Sequence, residues 1–272
     1  MDIKLSYMEA GQGAPLIMLH GNGENNEFFE KQIAYFSSKY HCYAPDSRGH
    51  GKSERGTAPL TIRQMADDVI AFMDDHNIDK ADILGFSDGG NIALILELKY
   101  PERLGKVIID GANLDLDGAA PWAVDYVMGE FKEAITRADI DPEAAKKAVI
   151  LNLMVTDPAI DPEELTNIKT PTLVMAGTED LILKEHTELI ASKIPGAELT
   201  FIPGDHYCAQ QSPDEFNAAV DAFLSKYGAC RTVTYRNLNH VKRPSRAAGH
   251  SGTCGEGPSF FCHHCLVSRY QP

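Results

Sequence analysis

The chain has 272 residues, 43% of them hydrophobic and 24% charged, with 39 acidic against 25 basic side chains and a formal net charge of -14. That balance opposes the clustered positive field of a DNA- or RNA-binding surface, and no run of about 18 apolar residues is available for a membrane span. The opening MDIKLSYMEAGQG lacks the basic and apolar regions of a secretory signal, so a cytoplasmic location is expected.

Along residues 1–227, short apolar runs alternate with amphipathic stretches. Strands are expected at 15–20 (PLIMLH), 41–45 (HCYAP), 81–86 (ADILGF), 106–110 (KVIID), 172–176 (TLVMA) and 198–202 (ELTFI). Most are continuous apolar runs, the pattern of parallel strands covered on both faces. Between them Ile62, Met65, Ala66, Val69, Ile70 and Met73 recur at helical spacing behind Thr61, a suitable N-cap. Phe216, Ala219, Val220, Phe223 and Leu224 repeat that spacing in a last helix. Repeated alternation of strand and helix predicts a doubly wound α/β sheet. About residues 112–168 the rhythm breaks into helix-like acidic stretches with Trp122, Tyr126, Met128 and Phe131, which predicts a helical cap over one edge of the sheet. Trp122 is the cap side chain expected to face substrate.

Composition divides the chain near Gly228. Residues 1–227 carry 19 basic and 38 acidic side chains, whereas 228–272 carry six and one. The body holds only Cys42 and Cys208, while Cys230, Cys254, Cys262 and Cys265 crowd the tail. Two widely spaced cysteines suit a reducing compartment. In the tail, Cys254, Cys262 and Cys265 with His250, His263 or His264 offer donors for zinc, but the spacing frames no knuckle. The favoured expectation is a poorly ordered extension and no metal.

Chemistry concentrates in four loops. Gly85-Phe86-Ser87-Asp88-Gly89-Gly90 follows one apolar run and opens the helical stretch NIALILELKY. A serine nucleophile must stand clear of the sheet on a tight strand-to-helix turn, and small residues on either side permit that turn. The serine needs a base, and the base an orienting acid. Gly177-Thr178-Glu179-Asp180 places carboxylates after one later strand, and Gly204-Asp205-His206 places an imidazole after the next. Both loops open where an α/β sheet binds ligands. His206 is the histidine on such a loop; Asp180 and Glu179 compete as the acid. The fourth loop, His20-Gly21-Asn22-Gly23, follows the first strong strand. A tetrahedral intermediate needs two N–H donors for its oxyanion, and the backbone amides of Asn22 and Asp88 are the candidates. The loop from Asp46 to Ser53 (DSRGHGKS) reads as structural, tied by a buried Arg or Asp.

HGNG, DSRGHGKS, GFSDGG, GTED and GDH, in that order, resemble the motifs of the α/β-hydrolase fold family over residues 1–227. The resemblance implies a mostly parallel eight-stranded sheet with helices on both faces, a small cap between strands six and seven, and no cofactor. Its G-x-x-D spacing favours Asp180 over Glu179. GFSDGG followed by Gly111-Ala112-Asn113 is similar to the valacyclovirase (biphenyl hydrolase-like) group, in which the acid after the nucleophile binds the substrate's α-amino group. Asp88 holds that position, which implies a taste for amino-acid esters, although Phe86 and the cap depart from that group.

The function expected is cleavage of small-molecule carboxylic esters through an acyl-enzyme, with neither nucleic acid nor membrane as partner. Lactone, amide or C–C bond hydrolysis and cofactor-free peroxidation use the same three residues and stay open. So does a ligand-binding protein that keeps the fold without turnover. Dehalogenase chemistry needs Asp where Ser87 stands. Neither the oligomeric state nor the acyl specificity is readable from these motifs.

Overall fold

The computed structural model describes residues 2–226, and the expectations for residues 228–272 lie outside it. Its strands are β1 (Tyr7–Ala10), β2 (Ala14–Leu19), β3 (Tyr40–Pro45), β4 (Ala81–Phe86), β5 (Leu104–Asp110), β6 (Thr172–Gly177) and β7 (Glu198–Ile202). Its α-helices are α1 (Glu30–Phe36), α2 (Ile62–Asp75), α3 (Asp88–Lys99), α4 (Pro121–Arg137), α5 (Pro142–Thr156), α6 (Lys184–Lys193), α7 (Cys208–Gln211) and α8 (Pro213–Lys226). The sheet runs β1-β3-β2-β4-β5-β6-β7. Only β1 is antiparallel to its neighbour; the other pairings are parallel.

The period-two geometry of a strand divides each apolar run between two cores. Ile17, Leu19, Ile83, Val107, Ile109 and Val174 point to one face, where they meet Ile62, Met65, Val69 and Phe72 of α2 and the buried side of α3. Leu16, Met18, Leu84, Ile108, Leu173 and Met175 point to the other, against Phe36 of α1 and Phe216, Val220 and Phe223 of α8. The continuous apolar runs thus reflect helices on both faces. Thr61 caps α2 as its position suggests, its side chain accepting from the Gln64 N–H at 3.0 Å.

Two expectations need correction. Among the described residues the sheet has seven strands, not eight. The chain start buries Ile3 and Leu5 without joining a ladder, and is held at Ser6 by the Asp46 N–H and the Ser53 hydroxyl and at Asp2 by its carboxylate. Asp2 accepts from the Thr57 and Ala58 N–H groups at 2.7 and 3.0 Å and pairs with Arg48 at 2.7 Å. The cap helices α4 and α5 accordingly fall between the fifth and sixth strands rather than the sixth and seventh. The loop 46–53 is tied as its composition suggests. Fully buried Arg48 grips both oxygens of Asp68 at 2.7 Å, while Asp46 accepts from the amides of Asn26 and Lys52.

One buried acid makes a stability prediction. Glu97 on α3 meets the Thr172 hydroxyl at 2.6 Å, and that hydroxyl also lies 2.9 Å from the Thr170 carbonyl. A hydroxyl has one proton. Given to Thr170, it leaves Thr172 Oγ1 to accept from a protonated Glu97. Burial agrees, pushing the Glu97 carboxyl from 4.5 up to about 8. The unfolded chain sheds this proton first, so stability falls as pH rises from about 4.5 to about 8. Glu97→Gln keeps a donor for Thr172 and carries no titrating proton. It is expected to stabilise the fold at pH 8 by about 1–3 kcal/mol, with the gain vanishing near pH 5. Urea unfolding at the two pH values reads this directly; a loss of stability at pH 8 contradicts it.

Candidate active site

The sharp turn between β4 and α3 is built by Gly85 and Gly89. A Cβ on Gly85 would lie 2.2 Å from the Gly89 carbonyl oxygen, and one on Gly89 would lie 1.9 Å from the Leu19 oxygen of β2. Helix and sheet therefore approach backbone to backbone. Between the glycines Ser87 is held at φ 53°, ψ -118°, a conformation costly for a side-chain-bearing residue. Its N–H donates to the Asp110 carbonyl at the end of β5, 2.8 Å away, and its own carbonyl accepts from Asn91 at 3.0 Å. The side chain is lifted out of the sheet at the N-terminus of α3.

Ser87, His206 and Asp180 come together from three loops. His206 Nε2 lies 3.1 Å from Ser87 Oγ, and His206 Nδ1 lies 2.7 Å from Asp180 Oδ1. The same Asp180 oxygen accepts from the Ile182 N–H at 2.9 Å, and its other oxygen from the Gly177 N–H at 3.1 Å. With its carboxylate fixed by two backbone donors, Asp180 holds the imidazole with Nε2 toward the serine. Glu179 is exposed, and the imidazole bonds Asp180 instead. Burial alone would depress the His206 imidazole. The hydrogen bond and charge of Asp180, aided by Asp110 and Glu24, outweigh that and hold its pKa above the ordinary 6.5.

The loop after β2 closes over the serine. A Cβ on Gly21 would stand 3.1 Å from both the Phe86 ring and Ser87 Cβ. His20 anchors the loop from below. Its Nε2 accepts from the Ser47 N–H at 2.9 Å, so Nδ1 carries the proton donated to the Gly21 carbonyl at 2.8 Å. Burial pushes this imidazole down to about 4, which keeps it neutral. The Asp88 N–H sits at the first position of α3, where a helix supplies no internal acceptor.

The side chains of Asn22 and Asp88 do something the sequence reading missed. Asn22 Nδ2 donates to Asp88 Oδ2 at 2.9 Å and to the Ile150 carbonyl of α5 at 3.0 Å. One amide thus ties the loop to the turn and to the cap. Asp88 is buried, and its carboxyl, raised chiefly by burial, is already engaged, so the free carboxylate expected for an α-amino group is not what the pocket presents.

A cavity of about 340 Å³ opens above Ser87 between these loops and the cap. Trp122 and Tyr126, one turn apart on α4, stand 66% and 65% exposed on its wall. Leu151 and Met154 of α5 and Leu181 and Ile182 line it further in. Phe86 stacks on Phe28 with centroids 4.4 Å apart and carries the His206 ring at 4.8 Å.

Sequence reasoning missed two acids here. Asp110, wholly buried beside the pair, accepts from Cys208 Sγ at 3.5 Å and is pushed up to about 7 by burial and by the Asp180 charge. Glu24 lines the cavity itself. Nothing in their sequence context marks them, since burial and proximity follow from the fold. Among the described residues no group of His, Cys, Asp and Glu is arranged to hold a metal ion, and no helix is long and apolar enough to cross a membrane.

A strained serine between two obligatory glycines, at the carboxyl end of a mostly parallel sheet, defines a class that the comparisons bear out. The model of the α/β hydrolase fold matches residues 14–146. The chain is 28% identical over 254 residues to 3-oxoadipate enol-lactonase 2 of Acinetobacter baylyi, covering 83% of this chain and 95% of that one. It is 28% identical over 244 residues to the human serine hydrolase BPHL, covering 82% and 83%. The solved structure of Est816, an N-acyl homoserine lactone degrading enzyme, is 30% identical with a TM-score of 0.67, covering 81% and 97%. The chain belongs to the α/β-hydrolase fold family and is a hydrolase.

Proposed function

We propose that this hydrolase cleaves carboxylic esters of small molecules, cyclic esters included, through an acyl-enzyme. The observation that carries the reading is the continuous relay Ser87 Oγ, His206 Nε2, His206 Nδ1, Asp180 Oδ1 at 3.1 and 2.7 Å beneath a mostly apolar cavity.

Ser87 Oγ attacks the carbonyl carbon while its proton passes to His206 Nε2. Asp180 stabilises the imidazolium so formed. The backbone amides of Asn22 and Asp88 receive the oxyanion, and the α3 terminus adds its positive end. The intermediate collapses as the C–O bond breaks, and His206 gives its proton to the leaving alkoxide. Water then attacks the acyl-enzyme with His206 as base, and the acid leaves with Ser87 restored. Trp122 and Tyr126 flank the entry, where they would contact the group extending from the pocket. The names of two relatives, an enol-lactonase and a homoserine-lactone degrading enzyme, favour the ester and lactone end of the chemistry open to these residues.

The test is turnover of p-nitrophenyl acetate and butyrate across pH 5–9. Because the imidazole must be neutral to act as base, and its proton is held more tightly than usual, kcat/KM is expected to rise along a single acid limb with its midpoint above 6.5. Absence of turnover across that range contradicts the proposal.

A further inference from the structure

Two of the residues lining the cavity are acids, and the one basic side chain among them is the His206 imidazole. Glu24 and Asp88 line the cavity, and no lysine or arginine does so among the described residues. The remaining wall is largely aliphatic and aromatic. A carboxylate entering this space finds no lysine or arginine, and the neutral His206 that the attack requires offers it no charge, so it pays the cost of an unpaired buried charge.

Glu24 is the better placed of the two acids to act on substrate. Asp88 is occupied by Asn22, whereas Glu24 is fixed by a single contact, its Oε2 accepting from the Gly21 N–H at 3.2 Å. That bond anchors the carboxyl one residue from the Asn22 amide, on the loop that packs against Ser87. Glu24 itself lines the cavity. The titratable groups facing Glu24 are His206, Asp88 and Tyr207. Burial, opposed by the Gly21 N–H and His206, brings its carboxyl up to about 7, so it gains its charge within the working pH range.

We infer that Glu24 is a specificity-determining residue which turns away substrates bearing a carboxylate, so that the natural substrate is an ester or lactone without an anionic group near the scissile bond. This rests on the ester-hydrolase reading. Two like charges held about 6 Å apart at an effective dielectric near 20 weaken association by about a hundred-fold. The Glu24 charge thus suffices for strong discrimination.

The experiment compares ethyl butyrate with monoethyl succinate, whose acyl chain has the same length but ends in a carboxylate. Acid release is followed by pH-stat at pH 6 and pH 8.5 for wild type and Glu24→Gln. Gln keeps an oxygen for the Gly21 N–H and removes the charge. His206 ionisation affects both esters alike and cancels in their ratio of kcat/KM. In wild type the ratio is expected to favour butyrate by about 25-fold at pH 8.5, where about 3% of Glu24 still holds its proton, and to approach one at pH 6. In Glu24→Gln it is expected to lie near one at both pH values. A wild-type ratio near one at pH 8.5, or an unchanged ratio in the variant, overturns the inference while leaving the ester reading intact. No turnover of either ester overturns both.

Discussion

Ser87→Ala is expected to lower kcat for p-nitrophenyl butyrate by about 10⁵-fold or more while shifting the melting temperature by no more than about 3 °C. The two halves of this expectation have separate causes. The side chain makes one polar contact of consequence, to His206 at 3.1 Å, so its loss removes little from the fold. The unfavourable φ of 53° is imposed by the backbone ties of Ser87 to Asp110 and Asn91, and alanine inherits it unchanged. Chemically, the Oγ is the atom that forms the covalent bond, and the remaining groups would retain only the 10³–10⁴-fold advantage over water typical of an oxyanion site with binding. Residual activity within tenfold of wild type would mean that another atom attacks.

Gly89→Ala is the complementary case, with the largest expected effect on stability. The new methyl would start 1.9 Å from the Leu19 oxygen and 2.5 Å from its carbon, both main-chain atoms of a central strand. No rotamer relieves that contact; α3 must move off the sheet. Because α3 packs on β2, β4 and β5, the displacement disrupts the core on that face of the sheet. The cost is expected to be about 3 kcal/mol or more, a fall of roughly 6–12 °C in melting temperature for a domain of this size. The Asp88 amide moves with the helix, so surviving folded protein should also lose kcat. A melting temperature within about 2 °C of wild type would show that the close approach is not what the glycine serves.

These two residues also show what could be read from the sequence. Gly85, Ser87 and Gly89 were legible because the chemistry of a tight turn demands small residues at fixed spacing next to an apolar run. The loops of His206 and Asp180 were legible because a parallel sheet delivers the loops after successive strands to one edge, and the choice of Asp180 over Glu179 came from the resemblance to the family's G-x-x-D spacing. The parts that were not legible depend on distance in the chain. The Asn22–Asp88 contact joins residues 66 apart, and nothing local to either predicts it. Glu24 looks like any polar loop residue until the cavity forms around it. Strand β1, YMEA, alternates exposed and half-buried residues at the sheet edge, so it lacks the apolar run that marked the central strands. Among the described residues the segment around Ile3 and Leu5 is buried yet joins no ladder, and its ties to Thr57, Ala58, Asp46 and Ser53 link residues about 40 or more apart that nothing local predicts.

The central claim is that Ser87 forms the covalent intermediate, and its most direct measurement is peptide mapping after reaction with a fluorophosphonate. The account predicts one adduct per chain, on the peptide carrying Ser87, with its formation rate following the same acid limb as ester turnover. Labelling at another residue, or ester turnover that persists in fully labelled protein, would contradict it.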